Sequence, residues 1–241
     1  MKKSIIALCL LFTMSSCQEL LDVLESSGGV AGITQSEAAS GLKQALERGV
    51  ISGTSQLGQN GGFLKNAAYK ILMPEEVQKA VSQIRGNPLT NALAGHYIDR
   101  VVTSMNTGAE NAMAEAKPIF VNAIKSMTIT DAINVATGGE GAATSYLKKT
   151  TTPQLKTRFQ PVIKKSLDKI NINEPWSKVS TAYNTVTGKK VQTDLNEYVT
   201  DRAVVALFSQ IKQEEDKIRK DPLARVTPLL KKVFGYADTQ K

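Results

Sequence analysis

The chain has 241 residues, of which 41% are hydrophobic and 22% are charged, and its 30 Lys and Arg against 22 Asp and Glu give a net charge of +8. This balance indicates a globular domain and excludes a disordered, collagen-like or disulfide-stapled chain. The 2 cysteines and 1 histidine are too few for a zinc site or for a di-metal bundle built on paired Glu-x-x-His motifs. We therefore expect neither a metal nor a cofactor.

The N-terminus has the layout of a bacterial lipoprotein signal peptide. A positive start at residues 1–3 precedes an apolar run at residues 5–12, which is too short to span a membrane. Small and polar residues then lead to Cys17, as in a lipobox, whose cysteine is lipidated and becomes the first residue of the mature chain. The alternative is an ordinary signal peptide cut nearby, which leaves Cys17 as a free thiol. Because Gln18 rather than Asp follows, we expect anchoring in the outer membrane of a Gram-negative bacterium, facing the periplasm.

Four parts are predicted along the chain. A signal peptide at residues 1–16 is followed by a lipidated, flexible tether at residues 17–33, which is rich in glycine and serine. One domain covers residues 34–236, and a tail covers residues 237–241. Apolar positions in the domain recur at helical spacing, and no segment alternates as a β-strand does. The predicted fold class is therefore all-α, with a single multi-helix domain behind the tether.

Local signals place the helix starts of this domain. Thr34 and Thr128 each stand three residues before an acidic residue and predict capping boxes. Asp194 predicts another N-terminal cap. Pro74 and Pro88 mark two more starts, because proline at the first helical position loses no intrahelical hydrogen bond.

Three further prolines interrupt the helical pattern. At Pro118 we expect a kink or a fresh start, and around Pro153 and Pro161 we expect short helices or turns. Proline lacks the backbone donor and clashes with the carbonyl one turn earlier, so it disfavours a helix interior. Residues 171–193 carry no clear pattern, and a last amphipathic segment is predicted over residues 222–234.

Several short stretches of the mature chain share a pattern with a family of bacterial envelope proteins. They are Met105-Asn106 with Ala109-Glu110, Ala116 to Phe120, Ala123 to Met127, Asp131-Ala132, Ala142 to Thr144 with Tyr146, Phe159 with Pro161, Asp194-Leu195, Tyr198 to Thr200, Leu207-Phe208, Glu214-Glu215, Ile218-Arg219 and Leu229 to Gly235. In these residues the chain resembles the domain-of-unknown-function family 4197. The resemblance implies a helical, exported protein, and it brings no activity and no catalytic residue.

Glu110 and Glu215 interrupt apolar stripes of their predicted helices. A carboxylate on an apolar face must be paired or have a raised pKa. We expect Glu215 to pair with Arg219 one turn later, and Glu110 to pair with Lys117 or with an arginine of another helix. The alternative is that both carboxylates line a ligand pocket.

A Ser-His-Asp triad would have to recruit His96, the single histidine, without a Gly-x-Ser-x-Gly elbow, and we therefore predict that the protein is not an enzyme.

Residues 148–190 contain the positive excess of the mature chain. They hold 10 basic and 2 acidic residues, a net charge of +8. The candidate partner-binding residues in this segment are Lys148, Lys149, Lys156, Arg158, Lys164, Lys165, Lys169 and Trp176, with Phe159 and Tyr183 as further aromatics. Cations and aromatics together are typical of binders of lipid headgroups or nucleic acid. Because nucleic acid is not expected in the periplasm, anionic lipid or an acidic envelope polymer is the predicted partner. The alternative is a solvated, lysine-rich face.

These features favour a non-enzymatic, lipid-anchored helical module that binds an envelope partner through its basic face or an internal groove. A second hypothesis is a carrier for a small amphiphilic or anionic ligand, with Glu110 and Glu215 near the polar end of a helical groove. A carboxylate-based hydrolase ranks third.

Overall fold

The computed structural model describes residues 34–235 except 174–175, 178–187, 189–193, 226, 229–230 and 232–233. The predicted signal peptide, Cys17, the tether, Tyr183 and the tail lie outside the described residues. The helices with described bounds are α1 (Gln35–Gly58), α2 (Glu75–Gly86), α3 (Pro88–Lys125), α4 (Ile129–Thr137), α5 (Ala142–Asp168) and α6 (Leu195–Lys220), followed by a 3-10 turn at Pro222–Ala224. This confirms the all-α prediction. In this part of the chain, no helix is both long and apolar enough to cross a membrane.

The predicted caps form at the starts of three helices. The Thr34 hydroxyl accepts a hydrogen bond from the Glu37 amide at 3.2 Å, and the Glu37 carboxylate accepts one from the Thr34 amide at 2.8 Å. Thr128 and Asp131 repeat this reciprocal box at 3.0 and 3.1 Å. The Asp194 carboxylate accepts from the amide two residues later at 2.8 Å. Each cap satisfies backbone donors that a helix start leaves without an intrahelical partner.

The expected fresh start at Pro118 and the expected short helices or turns around Pro153 and Pro161 are wrong, and the kink at Pro118 stays a prediction. α3 continues through Pro118, and α5 continues through Pro153 and Pro161. All three prolines lie on the exposed side of their helix, so the carbonyl that each leaves without a helical donor is on the side that faces water. The opposite side of α5, including Leu155 and Phe159, is fully buried. Core packing on both sides of each proline therefore holds the helix in one piece.

α3 and α5 form the centre of the bundle. They approach closely where α3 has Gly108, because a Cβ atom there would lie 3.2 Å from the Ser166 Cβ and 3.4 Å from the Ile163 Cα. α1 and α2 pack on α3, and α6 packs on α5 and α1. An edge-to-face contact of Phe120 with Phe208, 5.9 Å between ring centroids, joins α3 to α6.

The first and last long helices are neighbours in the bundle. Gln56 of α1 donates a hydrogen bond to Glu214 of α6 at 3.0 Å and accepts one from Gln210 at 3.1 Å. Gly53 faces the side chains of Gln210 and Ile211 at contact distance. This pairing brings together residues more than 150 positions apart in the sequence.

Candidate functional site

Glu215, near the end of α6, binds the first turn of α5. Its carboxylate accepts hydrogen bonds from the backbone amides of Ala143 at 3.1 Å and Thr144 at 2.9 Å, and from the Thr144 hydroxyl at 2.7 Å. The side chain is buried, with 8% of the residue exposed. A negative charge at a helix N-terminus is favourable, because the free amides there carry partial positive charge. Glu215 therefore acts as a cap for α5, supplied by another helix.

Arg219 pairs with Glu215 and binds a third helix end. Its Nε donates to Glu215 at 2.9 Å, and its terminal nitrogens donate to the carbonyls of Val135 at 2.9 Å and Ala136 at 3.2 Å. These carbonyls belong to the last turn of α4, where a cation is favourable. The predicted Glu215–Arg219 pair is confirmed, and it joins the end of α4, the start of α5 and the end of α6.

The C-terminal segment packs onto this junction through Phe234. The guanidinium groups of Arg219 and Arg225 lie 5.9 and 5.7 Å from the centroid of the Phe234 ring, within the range of a cation–π interaction. Arg225 also donates to the carbonyls of Ile218 at 3.1 Å and Arg219 at 2.8 Å, at the end of α6. Phe234 is 5% exposed. The aromatic ring therefore covers the buried ion pair.

A small cavity lies beside Glu215. Its volume is about 30 Å³, enough for one or two water molecules. Its walls are mostly apolar and come from α1, α5, α6 and Phe234. Cavities that hold drug-sized ligands measure roughly 300–1,000 Å³, so this cavity does not match the groove expected of a carrier.

Glu110 binds backbone amides rather than a basic side chain. Its carboxylate accepts hydrogen bonds from the amides of Phe63 and Leu64, both at 3.0 Å. The expected pairing with Lys117 or an arginine is wrong. After α1 the chain turns back at Gly61, with a φ of 87°, and at Gly62, where a Cβ atom would lie 2.3 Å from the Leu57 carbonyl oxygen. This turn presents two amides to the carboxylate, which is the interaction that stabilises a buried negative charge.

Asn106, one turn before Glu110 on α3, is a site residue that the sequence reasoning missed. Its side-chain amide accepts from the Ile71 amide at 2.8 Å and donates to the carbonyls of Ile71 at 2.8 Å and Val102 at 2.7 Å. The residue is fully buried. A signal was available, because Asn106 and Glu110 are polar residues four apart on an apolar stripe. Together they fix the non-helical chain between α1 and α2 onto α3.

The structure does not bring Glu110 and Glu215 into one site. Glu110 contacts the chain that follows α1, whereas Glu215 contacts the start of α5. Glu110 is not among the residues that line the cavity beside Glu215. In the described part of the chain, no group of three His, Cys, Asp or Glu side chains is placed to hold a metal ion.

α5 displays basic side chains along its length. The exposed ones that make no ion pair with a described carboxylate, here called the α5 basic side, are Lys148, Lys149, Arg158, Lys165 and, directly after the helix, Lys169. Two other predicted lysines are held in ion pairs: Lys156 with Asp201 at 2.7 Å and Lys164 with Asp168 at 2.7 Å. The hydrogen bond from Lys164 lowers the pKa of Asp168 below its ordinary value. Lys178, Lys189 and Lys190 of the predicted segment lie outside the described residues.

The predicted aromatic contribution to this surface needs correction. Trp176 is 5% exposed and Phe159 is fully buried, and both belong to the hydrophobic core. Leu155, Phe159 and Ile163 recur every four residues on α5, so Phe159 lies on the side of the helix that packs against the bundle. The basic segment therefore has cations on its surface and these two aromatics in the core, and neither ring is available to stack on a partner.

Comparison with known proteins places this bundle in a family. The sequence model of the family described as "Protein of unknown function (DUF4197)" matches residues 32–235. The chain belongs to this family. The match confirms the resemblance noted from the sequence, and it includes Glu110, Glu215 and the α5 basic side. No curated protein and no solved structure matches the chain. The DUF4197 description assigns no activity.

Proposed function

We propose that this DUF4197 protein is an envelope lipoprotein, lipidated at Cys17 and held at the periplasmic face of the outer membrane. Its helical domain is a non-enzymatic interaction module that binds phosphate-bearing anionic lipids of the envelope. The observation that carries the proposal is the α5 basic side. It places four exposed cationic side chains on one helix of 27 residues and a fifth, Lys169, directly after the end of that helix.

The charges of the α5 basic side are open to a partner. Among the described residues, no carboxylate lies within ion-pair distance of Lys148, Lys149, Arg158, Lys165 or Lys169. Lys156 and Lys164, in contrast, are already paired with aspartates. Clustered lysines near an anionic lipid surface gain binding free energy of about 1 kcal/mol each. Five such residues supply a binding surface without a cavity.

The carrier and hydrolase alternatives have less support. Both would use Glu110 and Glu215, yet each carboxylate is occupied by backbone amides, and Glu215 also by Arg219. The cavity of about 30 Å³ beside Glu215 is smaller than one acyl chain requires. A paired carboxylate in a capped helix junction stabilises the fold, and this role accounts for its contacts.

The test measures retention of the full chain, solubilised in neutral detergent, on immobilised lipopolysaccharide, on phosphatidylglycerol and on neutral phosphatidylcholine. We expect retention on the two anionic lipids that falls as salt rises, because exposed charges are screened over roughly 8 Å at physiological ionic strength. The lipopolysaccharide and phosphatidylglycerol arms separate the two sources of phosphate. Equal retention on phosphatidylcholine would overturn the proposal.

A matched pair of charge reversals distinguishes the α5 basic side from net charge. The triple variant Arg158→Glu, Lys165→Glu, Lys169→Glu should lose most of the retention. The control triple variant Lys65→Glu, Lys70→Glu, Lys79→Glu changes three exposed lysines outside α5 and alters the net charge by the same amount. It should keep retention close to that of the unchanged chain. Equal losses of retention in both variants would show that net charge rather than the α5 basic side determines binding, and would overturn the proposal.

A further inference from the structure

At one end of the bundle, the start of α1 lies near the ends of three other helices, α3, α4 and α6. Lys43, in the third turn of α1, donates hydrogen bonds to the carbonyls of Lys125 at 3.3 Å and Met127 at 2.6 Å, where α3 ends. Arg219 and Glu215 join the end of α4 and the start of α5 at the end of α6. Thr34 and the start of α1 therefore lie at this end of the bundle, which we call the anchor end.

Exposed lysines and an exposed isoleucine lie on the helices that meet at the anchor end. Ile129, the first residue of α4, is 48% exposed, and the capping box of Thr128 fixes its backbone. Lys125, four residues earlier, is exposed, as is Lys149 in the second turn of α5. α4 packs against both α1 and α5. After the hydrogen bonds from Thr128, the charges of Lys149 and Lys43 on those two helices further lower the pKa of Asp131 on α4. Lys125, Ile129, Lys148 and Lys149 are called the anchor-end patch.

The acidic side chains near this patch either cap a helix start or are held in an ion pair. Glu37 and Asp131 belong to the capping boxes of α1 and α4. Glu140 pairs with Lys220 at 2.8 Å. In the described residues, no carboxylate pairs with Lys125, Lys148 or Lys149. The patch therefore combines cations with one apolar side chain, as membrane-surface segments do.

We infer that the anchor-end patch contacts the anionic headgroups of the bilayer that holds the lipidated Cys17, with Ile129 entering the headgroup region. This inference rests on the proposed function and deepens it by assigning part of the α5 basic side to a named partner. Cys17 lies 17 residues before Thr34, so it is at most about 60 Å away however the intervening chain runs. Such a tether keeps the patch at high effective concentration near lipid, and a small patch then suffices.

The inference divides the α5 basic side into two parts. Lys165 lies 16 residues beyond Lys149 on α5, a distance of about 24 Å along the helix. This is roughly three screening lengths at physiological ionic strength. When Lys149 touches the anchoring bilayer with α5 directed away from it, Lys165 and Lys169 remain open to a second anionic surface.

The test uses the full, lipidated chain in vesicles and a dye that brightens in an apolar environment. Ile129→Cys introduces one reactive thiol, because Cys9 leaves with the signal and the Cys17 sulfur carries the lipid. The matched control is Leu89→Cys, which is 70% exposed in the first turn of α3. This helix has 38 residues, so its two ends lie about 57 Å apart. In vesicles containing phosphatidylglycerol, we expect a severalfold brightening at position 129, quenched by brominated lipid, and none at position 89.

Charge variants complete the test. Adding Lys125→Gln and Lys149→Gln to the labelled Ile129→Cys chain should abolish the brightening, as should high salt or vesicles of phosphatidylcholine alone. Brightening that survives these changes, or that is as strong at position 89, overturns the inference. The proposed function is judged separately by retention in detergent, where no bilayer anchors the chain. Retention with no brightening at position 129 would support the proposed function and overturn this inference. Brightening without retention would overturn the proposed function and support contact of the patch with the bilayer.

Discussion

The Glu215 carboxylate and the Arg219 guanidinium are joined at 2.9 Å in the interior of the bundle, with side chains only 6% and 10% exposed. Each partner also binds the backbone of another helix. Removing either partner therefore leaves the other as a buried charge and leaves one helix end without its side-chain partner.

Glu215→Ala should lower the free energy of unfolding by about 3–5 kcal/mol, because the variant leaves Arg219 as an uncompensated buried charge. Urea denaturation followed by circular dichroism measures the change. Glu140→Ala is the matched control, since its pair with Lys220 is exposed and should give no resolvable change. Adding Arg219→Ala to Glu215→Ala should cost less than the sum of the two single losses. Strict additivity would show that the two residues act independently.

Glu110→Ala should destabilise the fold by about 1–3 kcal/mol for each amide left without an acceptor. Glu110→Gln should cost less, because its side-chain oxygen still accepts from the amides of Phe63 and Leu64. A basic partner would make the two variants equally damaging, so equal losses would contradict the contacts described for Glu110. Glu115→Ala, on the same helix and partly exposed, is the control and should be close to neutral.

Gly108→Ala should destabilise by about 1–3 kcal/mol through overpacking, although alanine is the better helix former. The added methyl group would meet Ser166 at 3.2 Å and backbone at 3.4 Å, so neither neighbour can simply rotate away. Gly86→Ala is the control, because a Cβ atom there meets nothing within 4 Å, and it should be neutral or stabilising. Thermal unfolding compares the two. A stabilised Gly108→Ala chain would mean that α3 and α5 separate at little cost.

Asp131 should make stability depend on acid pH. Hydrogen bonds from Thr128, and then the charges of Lys149 and Lys43, lower the pKa of this carboxyl in the folded chain below its ordinary 3.8. The folded chain thus keeps Asp131 ionised at a pH where the unfolded chain has protonated it. The stabilisation is complete above the ordinary value and is lost as the pH falls through the lowered one. Unfolding titrations of the unchanged chain and of Asp131→Asn should converge below this window, and parallel curves would refute the assignment.

Local features of this fold were predictable from the sequence, and features that depend on distant backbone were not. The hydrogen-bond partners of Thr34 and Thr128 lie three residues away in the chain, so the sequence alone predicts both capping boxes. The Glu215–Arg219 pair is one turn apart and was equally accessible. Glu110 differs because it binds the backbone amides of residues 63 and 64. Every residue except proline has such an amide, so the sequence does not show which residues are the partners. The position of Asn106 on an apolar stripe marked it as a buried polar residue, but its backbone partners at Ile71 and Val102 could not be identified from the sequence.

The prolines and the tryptophan show a second limit. Whether Pro153 breaks α5 depends on whether it lies on the exposed or the buried side of the helix. The sequence around the proline does not show which side packs against the core. Trp176 was assigned to a surface because basic residues surround it in the sequence. In the structure it is buried while the neighbouring lysines are exposed. Charge in a segment therefore predicted a surface without predicting which of its residues form that surface.

The pairing of α1 with α6 has a consequence for how the chain matures. The contacts of Gln56 and Gly53 with Gln210 cannot form until α6 exists, so the part of the earliest long helix that packs on the latest one stays uncovered until then. Under the proposed export, in which the N-terminus crosses first, most of the polypeptide must cross before this contact can close. Under that proposal, the order of synthesis keeps the α1–α6 contact open during transport and leaves it to form at the destination.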